Sequence, residues 1–151
     1  MSDRIVALMV TCVSVCQSLA AQSRWDRQVD ARLTQAAATL GHGYRVAGVA
    51  GVAGRGPLNT GETATFSITL PPGVTTVLTG VCDEDCVDLD LSLATNGYET
   101  DAARGGGNAP IVRVTPSDWT TYRVTVHMGD CRHNPCWYAA AMFRQSRSDI
   151  R

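Results

Sequence analysis

The chain has 151 residues, which is enough for one domain of ordinary size with a single hydrophobic core. Hydrophobic residues make up 44% of it and charged residues 18%, a composition typical of globular proteins rather than disordered chains. The net charge of −1 provides no electrostatic basis for binding nucleic acid or an anionic membrane surface, so no nucleic-acid partner is expected.

The first 21 residues have the pattern of a targeting segment. Residues 5–15 are almost wholly apolar, and Ser18 and Ala20 provide the small side chains of a cleavage site. We predict a cleaved secretory signal in residues 1–21, and therefore a periplasmic or extracellular protein. The alternative is an uncleaved N-terminal membrane anchor, although residues 5–21 fall short of the ~20 apolar residues that a spanning helix needs. The membrane is expected to be a partner only through this segment.

Residues 23–41 are predicted to form an amphipathic helix. Ser23 can cap its start and Gly41 can end it. Apolar side chains recur every three or four residues, at Trp25, Val29, Leu33, Ala36 and Leu40. This apolar face is expected to lie against the domain that follows, and binding of a partner is the alternative.

Residues 44–144 are predicted to form an all-β domain, followed by a polar tail at 145–151. Apolar and polar residues alternate with a period of two, and turn signals such as Asn96-Gly97 separate the runs. Seven or eight short strands without βαβ alternation indicate an antiparallel β-sandwich preceded by one N-terminal α-helix. The runs lie near residues 65–70, 74–81, 88–93, 111–115, 122–128 and 137–143.

Four cysteines lie outside the N-terminal segment: Cys82, Cys86, Cys131 and Cys136. An even number in an exported chain predicts two disulfides with three conceivable pairings. Loop-closure entropy favours cross-pairing, because a ring of about five residues contributes ~2 kcal/mol and one of about fifty contributes ~4. Proximity along the chain favours local pairing. Zinc bound by the four thiolates with His127 and His133 nearby is a further alternative, although export favours oxidation.

Acidic side chains cluster beside the first cysteine pair, with no basic residue among them. Calcium is the cation that prefers such oxygen ligands, and the candidate ligands are Asp83, Asp85, Asp88 and Asp90. The spacing lacks the order of an EF-hand loop. A structural role is the alternative, in which Asp88 and Asp90 accept hydrogen bonds from the backbone of an adjacent loop. No other cofactor is expected.

Motifs of catalysis are missing, including Gly-x-Ser-x-Gly, His-Glu-x-x-His and the phosphate-binding loop. We therefore expect no catalytic residues and predict that the chain is not an enzyme. Trp119 and Tyr138 lie beside predicted turns and are expected to form a binding surface for a sugar or a peptide. Trp137 continues an inward alternation and is expected in the core.

Three segments in order, Gly80–Leu91, Tyr122–Val126 and Cys131–Tyr138, resemble bacterial pre-peptidase C-terminal (PPC-like) domains, in particular a small, secreted, stand-alone branch. The resemblance covers roughly residues 25–144. It implies a jelly-roll-like β-sandwich without a catalytic centre of its own, and it favours the local cysteine pairings. Such domains accompany secreted enzymes as accessory or substrate-binding modules.

The resulting expectation is a non-catalytic, secreted or periplasmic β-sandwich module with a binding or structural role, stabilised by two disulfides. Its partner would be a protein or a cell-surface polymer. The alternative function is an accessory subunit of a membrane-embedded complex, anchored by an uncleaved N-terminal helix with the sandwich on the periplasmic side. A hydrolase would depend on the clustered carboxylates alone.

Overall fold

The computed structural model describes residues 24–41, 43–46 and 52–145. The predicted signal or anchor segment at 1–21, and residues 146–151 of the predicted tail, lie outside these residues. Within the described ranges, no helix combines the length and the apolar character needed to span a membrane.

One helical segment and nine strands make up the described chain. Residues 24–40 form helix α1, within the predicted range of 23–41. The strands are β1 (Tyr44–Val46), β2 (Val52–Leu58), β3 (Thr63–Leu70), β4 (Thr76–Cys82), β5 (Cys86–Thr95), β6 (Tyr98–Ala103), β7 (Ile111–Val114), β8 (Thr120–Cys131) and β9 (Cys136–Gln145).

The strands form two antiparallel sheets, which confirms the predicted all-β class with one N-terminal helix. Sheet A has the order β1-β9-β4-β7, and β2 also pairs with β9. Sheet B has the order β3-β8-β5-β6. The strand count exceeds the expected seven or eight, because β1 has only three residues and β6 lacks alternating apolar side chains.

The main core lies between the two sheets. Period-two alternation places one face of β3, β5 and β8 inside, and the other face stays exposed or half-buried. Leu91 and Val126, which are register partners on β5 and β8, are both almost fully buried. Burial of this apolar surface is the principal stabilising contribution to the sandwich.

Helix α1 covers the outer face of sheet A and adds a third layer. Val29 packs with Val81 and Ala139, and Leu33 also contacts a second cluster around Phe143. Every position of β4 is consequently buried, because the strand has the sheet core on one face and α1 on the other. Sheet B has no such apolar cluster on its outer face among the described residues, so its outer side is the accessible one.

A close contact between β2 and β3 gives a stability prediction. A Cβ atom added at Gly54 would lie 2.6 Å from a ring carbon of Phe66, so an alanine there requires the ring to move. We expect Gly54→Ala to lower the free energy of unfolding by about 1–3 kcal/mol through overpacking. Denaturant titration measures this effect, with Gly106→Ala as control because a Cβ there meets no atom within 4 Å. Equal effects of the two substitutions would contradict the Phe66 contact.

Candidate binding surface on the four-stranded sheet

The four cysteines form two local disulfides at one end of the sandwich. Cys82 bonds to Cys86 across the β4–β5 turn, and Cys131 bonds to Cys136 across the β8–β9 loop. Cys86 and Cys131 are register partners on β5 and β8, so the two bridges are neighbours. We refer to residues 82–86 and 131–136 as the cystine end. Bonded sulfur atoms cannot act as thiolate ligands, so these cysteines do not form the alternative zinc site.

Asp83 lies within the first disulfide ring and is only 1% exposed. Its Oδ2 accepts a hydrogen bond of 2.7 Å from the Trp137 N–H, and its Oδ1 accepts one of 3.2 Å from the Asp85 N–H. The Asp83 N–H donates in turn to the Trp137 carbonyl at 2.9 Å. Burial raises the pKa of the Asp83 carboxyl, and these hydrogen bonds act in the opposite direction. Asp83 therefore connects the first disulfide ring to β9, the strand that begins at the second disulfide.

Asp85 links the same two rings at the surface. Its Oδ1 lies 3.0 Å from Nδ1 of His133, and its carbonyl accepts a 2.8 Å hydrogen bond from the Arg132 N–H. Asp83 and Asp85 thus both connect the β4–β5 turn to the β8–β9 region. Their carboxylates stabilise the cystine end.

Asp88 and Asp90 hold the glycine-rich loop between β6 and β7. Asp88 Oδ1 accepts a hydrogen bond of 3.3 Å from the Gly107 N–H, and Asp90 Oδ1 accepts one of 2.9 Å from the Gly105 N–H. Both glycines have left-handed φ values, 98° at Gly107 and 61° at Gly105, which larger residues rarely adopt. These bonds to the backbone of a neighbouring loop are the structural alternative to calcium ligation.

The four aspartates considered as calcium ligands are divided between two places, the cystine end and the glycine-rich loop. Within residues 24–41, 43–46 and 52–145, no three His, Cys, Asp or Glu side chains lie close enough together to hold a metal ion. The described side chains therefore do not assemble a joint site from Asp83, Asp85, Asp88 and Asp90, because different hydrogen-bond donors hold these carboxylates apart.

Two histidine–aspartate pairs lie at the surface. His127 Nδ1 is 3.1 Å from Asp90 Oδ2, and the second pair joins His133 to Asp85. A histidine that acts as a general base needs a nucleophile within hydrogen-bond reach. In the part of the chain that the structure describes, neither imidazole has a serine, threonine or cysteine side chain as a hydrogen-bond partner. The pairs give no support to the hydrolase hypothesis.

The opposite end of sheet B carries the predicted Asn-Gly hairpin. Asn96 has a φ of 52° and Gly97 a φ of 81°, and two positive values in succession are characteristic of a type I′ turn. Tyr98 follows the turn directly and is 79% exposed. The prediction included the turn but not Tyr98 as a site residue. The sequence position of Tyr98 could have indicated its exposure, because a large side chain beside a two-residue turn has few neighbours to cover it.

Trp119 lies at the same end of the sheet, directly before β8, and is 71% exposed. Thr95, the register partner of Tyr98, donates from Oγ1 to the Thr121 carbonyl at 3.2 Å, and Thr121 lies two residues after Trp119. We call this region the hairpin-end surface: Tyr98, Trp119 and a shallow depression of about 230 Å³ lined by Ser67, Ala94, Thr95, Asn96, Gly97, Thr121 and Arg123.

Tyr138 does not belong to this surface, contrary to the prediction. It is 5% exposed and packs in the core between the sheets, where burial raises the pKa of its phenol. The reason is the third layer, because Trp137 and Ala139 face α1 while Tyr138 and Ala140 face the sheet core. A strand buried on both faces has no polar side to indicate which residues point inward.

A second cavity of about 240 Å³ lies between α1 and edge strand β7. Arg32 and Gln35 line it from the helix, and Ile111 lines it from β7. It contains neither of the two strongly exposed aromatic residues. Tyr98 and Trp119 line neither depression, but both are exposed at the hairpin end of sheet B, and this end is for that reason the candidate for binding.

The described fold defines a small, two-disulfide β-sandwich with one helical layer. No protein-family model matches the chain, and no curated protein matches it in sequence. Among solved structures it is similar to Aeromonas hydrophila PliG, a periplasmic inhibitor of g-type lysozyme, with 12% identity and a TM-score of 0.44 over 60% of this chain and 82% of that one. It is also similar to the pre-peptidase C-terminal domain of a Bacillus anthracis collagenase, with 15% identity and a TM-score of 0.42 over 58% of this chain and 84% of that one. Membership of the PPC-like family stays a prediction.

Proposed function

We propose that this chain is an exported, non-catalytic binding module that engages a protein partner through the hairpin-end surface. The observation that carries the proposal is the exposure of Trp119 and Tyr98, 71% and 79%, at one end of a sheet with an accessible outer face. Tryptophan, tyrosine and arginine dominate the binding energy of protein interfaces, and Arg123 lines the depression at the same end of sheet B. Covering these side chains on association removes apolar surface from water.

The shape of the depression favours a protein over a small molecule. Its volume of about 230 Å³ is below the usual range for small-molecule pockets, roughly 300–1,000 Å³, and it is open. Hydroxyl groups of Ser67 and Thr121 and the guanidinium of Arg123 can hydrogen-bond to backbone or side-chain groups of a partner. A cell-surface polymer could bind to the same groups, and photo-crosslinking distinguishes such a polymer from a protein partner.

Export is supported by the two disulfides, because such bonds persist in oxidising compartments. We propose that residues 1–21 direct this export. The accessory-subunit alternative has lost one of its arguments, since the apolar face of α1 packs on sheet A through Val29 and Leu33 and is not open to a partner. That alternative now depends on residues 1–21 alone.

The test is affinity measurement on single-site variants. A photoreactive side chain at Thr121 in the oxidised protein would capture the partner in the native periplasm or medium, and calorimetry with that purified partner would follow. We expect Trp119→Ala and Tyr98→Ala each to raise Kd by about 30-fold, as for interface hot spots.

The matched control is Val87→Ala, because Val87 is an exposed apolar residue on β5 near the other end of sheet B. This variant should change Kd by less than about threefold, since peripheral contacts contribute little. Equal losses in the three variants would contradict a hairpin-end site. Capture of polysaccharide instead of protein, with the same dependence on Trp119, would reassign the partner class to a cell-surface polymer.

A further inference from the structure

We propose that the free edge of β3 is a docking site for a second copy of this chain, and that the two β3 strands pair antiparallel about a two-fold axis. The two B sheets would then form one continuous sheet. Three features support this pairing: β3 has free backbone hydrogen-bonding groups, the other sheet edges differ from it, and the pairing would bring compatible side chains together.

The pairing of β3 with β8 determines which backbone groups remain free. Met128 N–H donates to the Glu62 carbonyl at 2.9 Å, so positions 62, 64, 66, 68 and 70 direct their hydrogen-bonding groups toward β8. The intervening residues direct their N–H and C=O groups away from the sheet. Within the described ranges, these groups have no hydrogen-bond partner at Thr63, Thr65, Ser67 and Thr69.

The edge of β3 is long and regular. All eight residues pair with β8 in one continuous register, from Thr63 opposite His127 to Leu70 opposite Thr120. The strand contains no proline, no charged residue and no bulge. Proteins use such devices to prevent unwanted pairing of edge strands, so an edge without them is suited to strand addition.

The other sheet edges carry protecting features. On β7, the outward Arg113 N–H is occupied by a 2.7 Å hydrogen bond to Asp101 Oδ2. On β2, Pro57 lacks an N–H and a register shift follows Val52. On β6, the register with β5 shifts at Leu93 and the strand carries two carboxylates, one of them on Glu99. The contrast indicates that the bare edge of β3 serves an interface.

A second copy fits this edge in one register. Pairing Thr63 with the partner's Thr69, and Thr65 with the partner's Ser67, matches all four outward-facing residues of each copy and satisfies their free N–H and C=O groups. The opposed outer side chains are hydroxyls, which carry no charge and do not repel. The same register places Phe66 opposite the partner's Phe66, and each half-buried ring would cover the other.

The wild-type test is sedimentation of the oxidised protein with amide hydrogen exchange. A contact of one strand pair is small, so we expect dimers at about 0.1–1 mM. The Thr65 and Ser67 amides should exchange rapidly in the monomer and become protected as concentration rises. A purely monomeric protein at about 1 mM would overturn the proposal, since roughly half or more of the chains should be dimeric at that concentration. Slow exchange of these amides in a monomer would also overturn it, because it would mean that another part of this chain covers the edge.

Charge-swap variants test the register. In Thr65→Lys/Ser67→Lys and in Thr65→Glu/Ser67→Glu, the proposed pairing opposes two like-charged pairs, which should weaken self-association by about tenfold or more. An equimolar mixture of the two variants should restore a heterodimer. Val87→Lys/Ser92→Lys adds the same charge on β5, two strands away from β3 in sheet B, and should leave the dimer in place. A dimer unaffected by the β3 charges, or a mixture that stays monomeric, would overturn the pairing.

Discussion

Removing the carboxyl group of Asp83 is expected to lower the free energy of unfolding by about 2–3 kcal/mol, because two half-buried donors lose their acceptor and an unsatisfied donor costs ~1–3 kcal/mol when buried. In Asp83→Ala, the Trp137 N–H and the Asp85 N–H lose the acceptor oxygens that they have at 2.7 and 3.2 Å. Denaturant titration of the oxidised protein measures the loss. The control is Glu84→Ala in the same turn, whose exposed ion pair with Arg24 contributes about 0–1 kcal/mol. Comparable losses in the two variants would contradict a buried role for Asp83.

The Asp83→Asn substitution removes the charge of the side chain and keeps its shape. Because burial raises the pKa of Asp83, the folded protein binds this proton more tightly than the unfolded chain does. The stabilising contribution is therefore fully present below the ordinary aspartate pKa and is lost as pH rises through the raised value. The unfolding free energy of the wild type relative to Asp83→Asn should fall as pH rises from about 3 to 6.

Glu62 provides the control of opposite sign for this pH dependence. The Asn59 N–H donates to its carboxylate at 2.8 Å, and this hydrogen bond lowers the pKa of Glu62. Its contribution is present above the ordinary glutamate pKa and is lost as pH falls through the lowered value. The unfolding free energy of the wild type relative to Glu62→Gln should therefore increase over the same rise in pH. If the two differences in unfolding free energy changed with pH in the same direction, the raised pKa of Asp83 would be contradicted.

Replacement of all four cysteines by alanine is expected to lower the free energy of unfolding by about 4 kcal/mol, because each short ring contributes ~2 kcal/mol by restricting the unfolded chain. Each single pair, Cys82/Cys86 or Cys131/Cys136, should account for about half. Thermal and denaturant unfolding of the three variants measures the effect.

Peptide mapping without reduction provides the independent readout for these bridges. We expect digests to yield peptides that link Cys82 to Cys86 and Cys131 to Cys136. A peptide that links Cys86 to Cys131 would contradict the local pairing. These two residues are the informative pair, because their positions opposite each other on β5 and β8 make them the nearest cross-strand alternative.

Three strands of sheet B, β3, β5 and β8, were predictable from the sequence because each has one buried and one accessible face. The alternation of Phe66 and Ile68 with Thr65 and Ser67 assigns the two faces of β3 directly, and the structure places them accordingly. The same rule failed on β9, where Tyr138 faces the sheet core and Trp137 faces the helix. Two apolar environments leave no polar residues to distinguish the inward side.

The roles of the carboxylates could not be assigned from spacing, because their partners are remote in sequence. Asp88 and Asp90 bind glycine amides 19 and 15 residues away, and Asp83 binds Trp137 54 residues away. From the sequence, the local cluster of negative charge therefore left both calcium ligation and a structural role open, and in the described residues backbone N–H groups donate to Asp83, Asp88 and Asp90. The pairing of the cysteines had the same ambiguity, since the loop-closure argument and proximity along the chain favoured different bridges.

The position of β9 determines when this protein can fold. It is the last strand of the described chain and lies inside sheet A, where it pairs with β1, β2 and β4. Leu58 pairs with Cys136 and Tyr44 with Gln145, so sheet A joins segments from opposite ends of the described chain. During N-to-C synthesis or translocation, the early strands must therefore wait for residues 136–145, and the sandwich closes only after β9 has been made. A chain that stops before β9 lacks both an inner strand of sheet A and the second disulfide, so synthesis through residue 145 becomes a condition of folding.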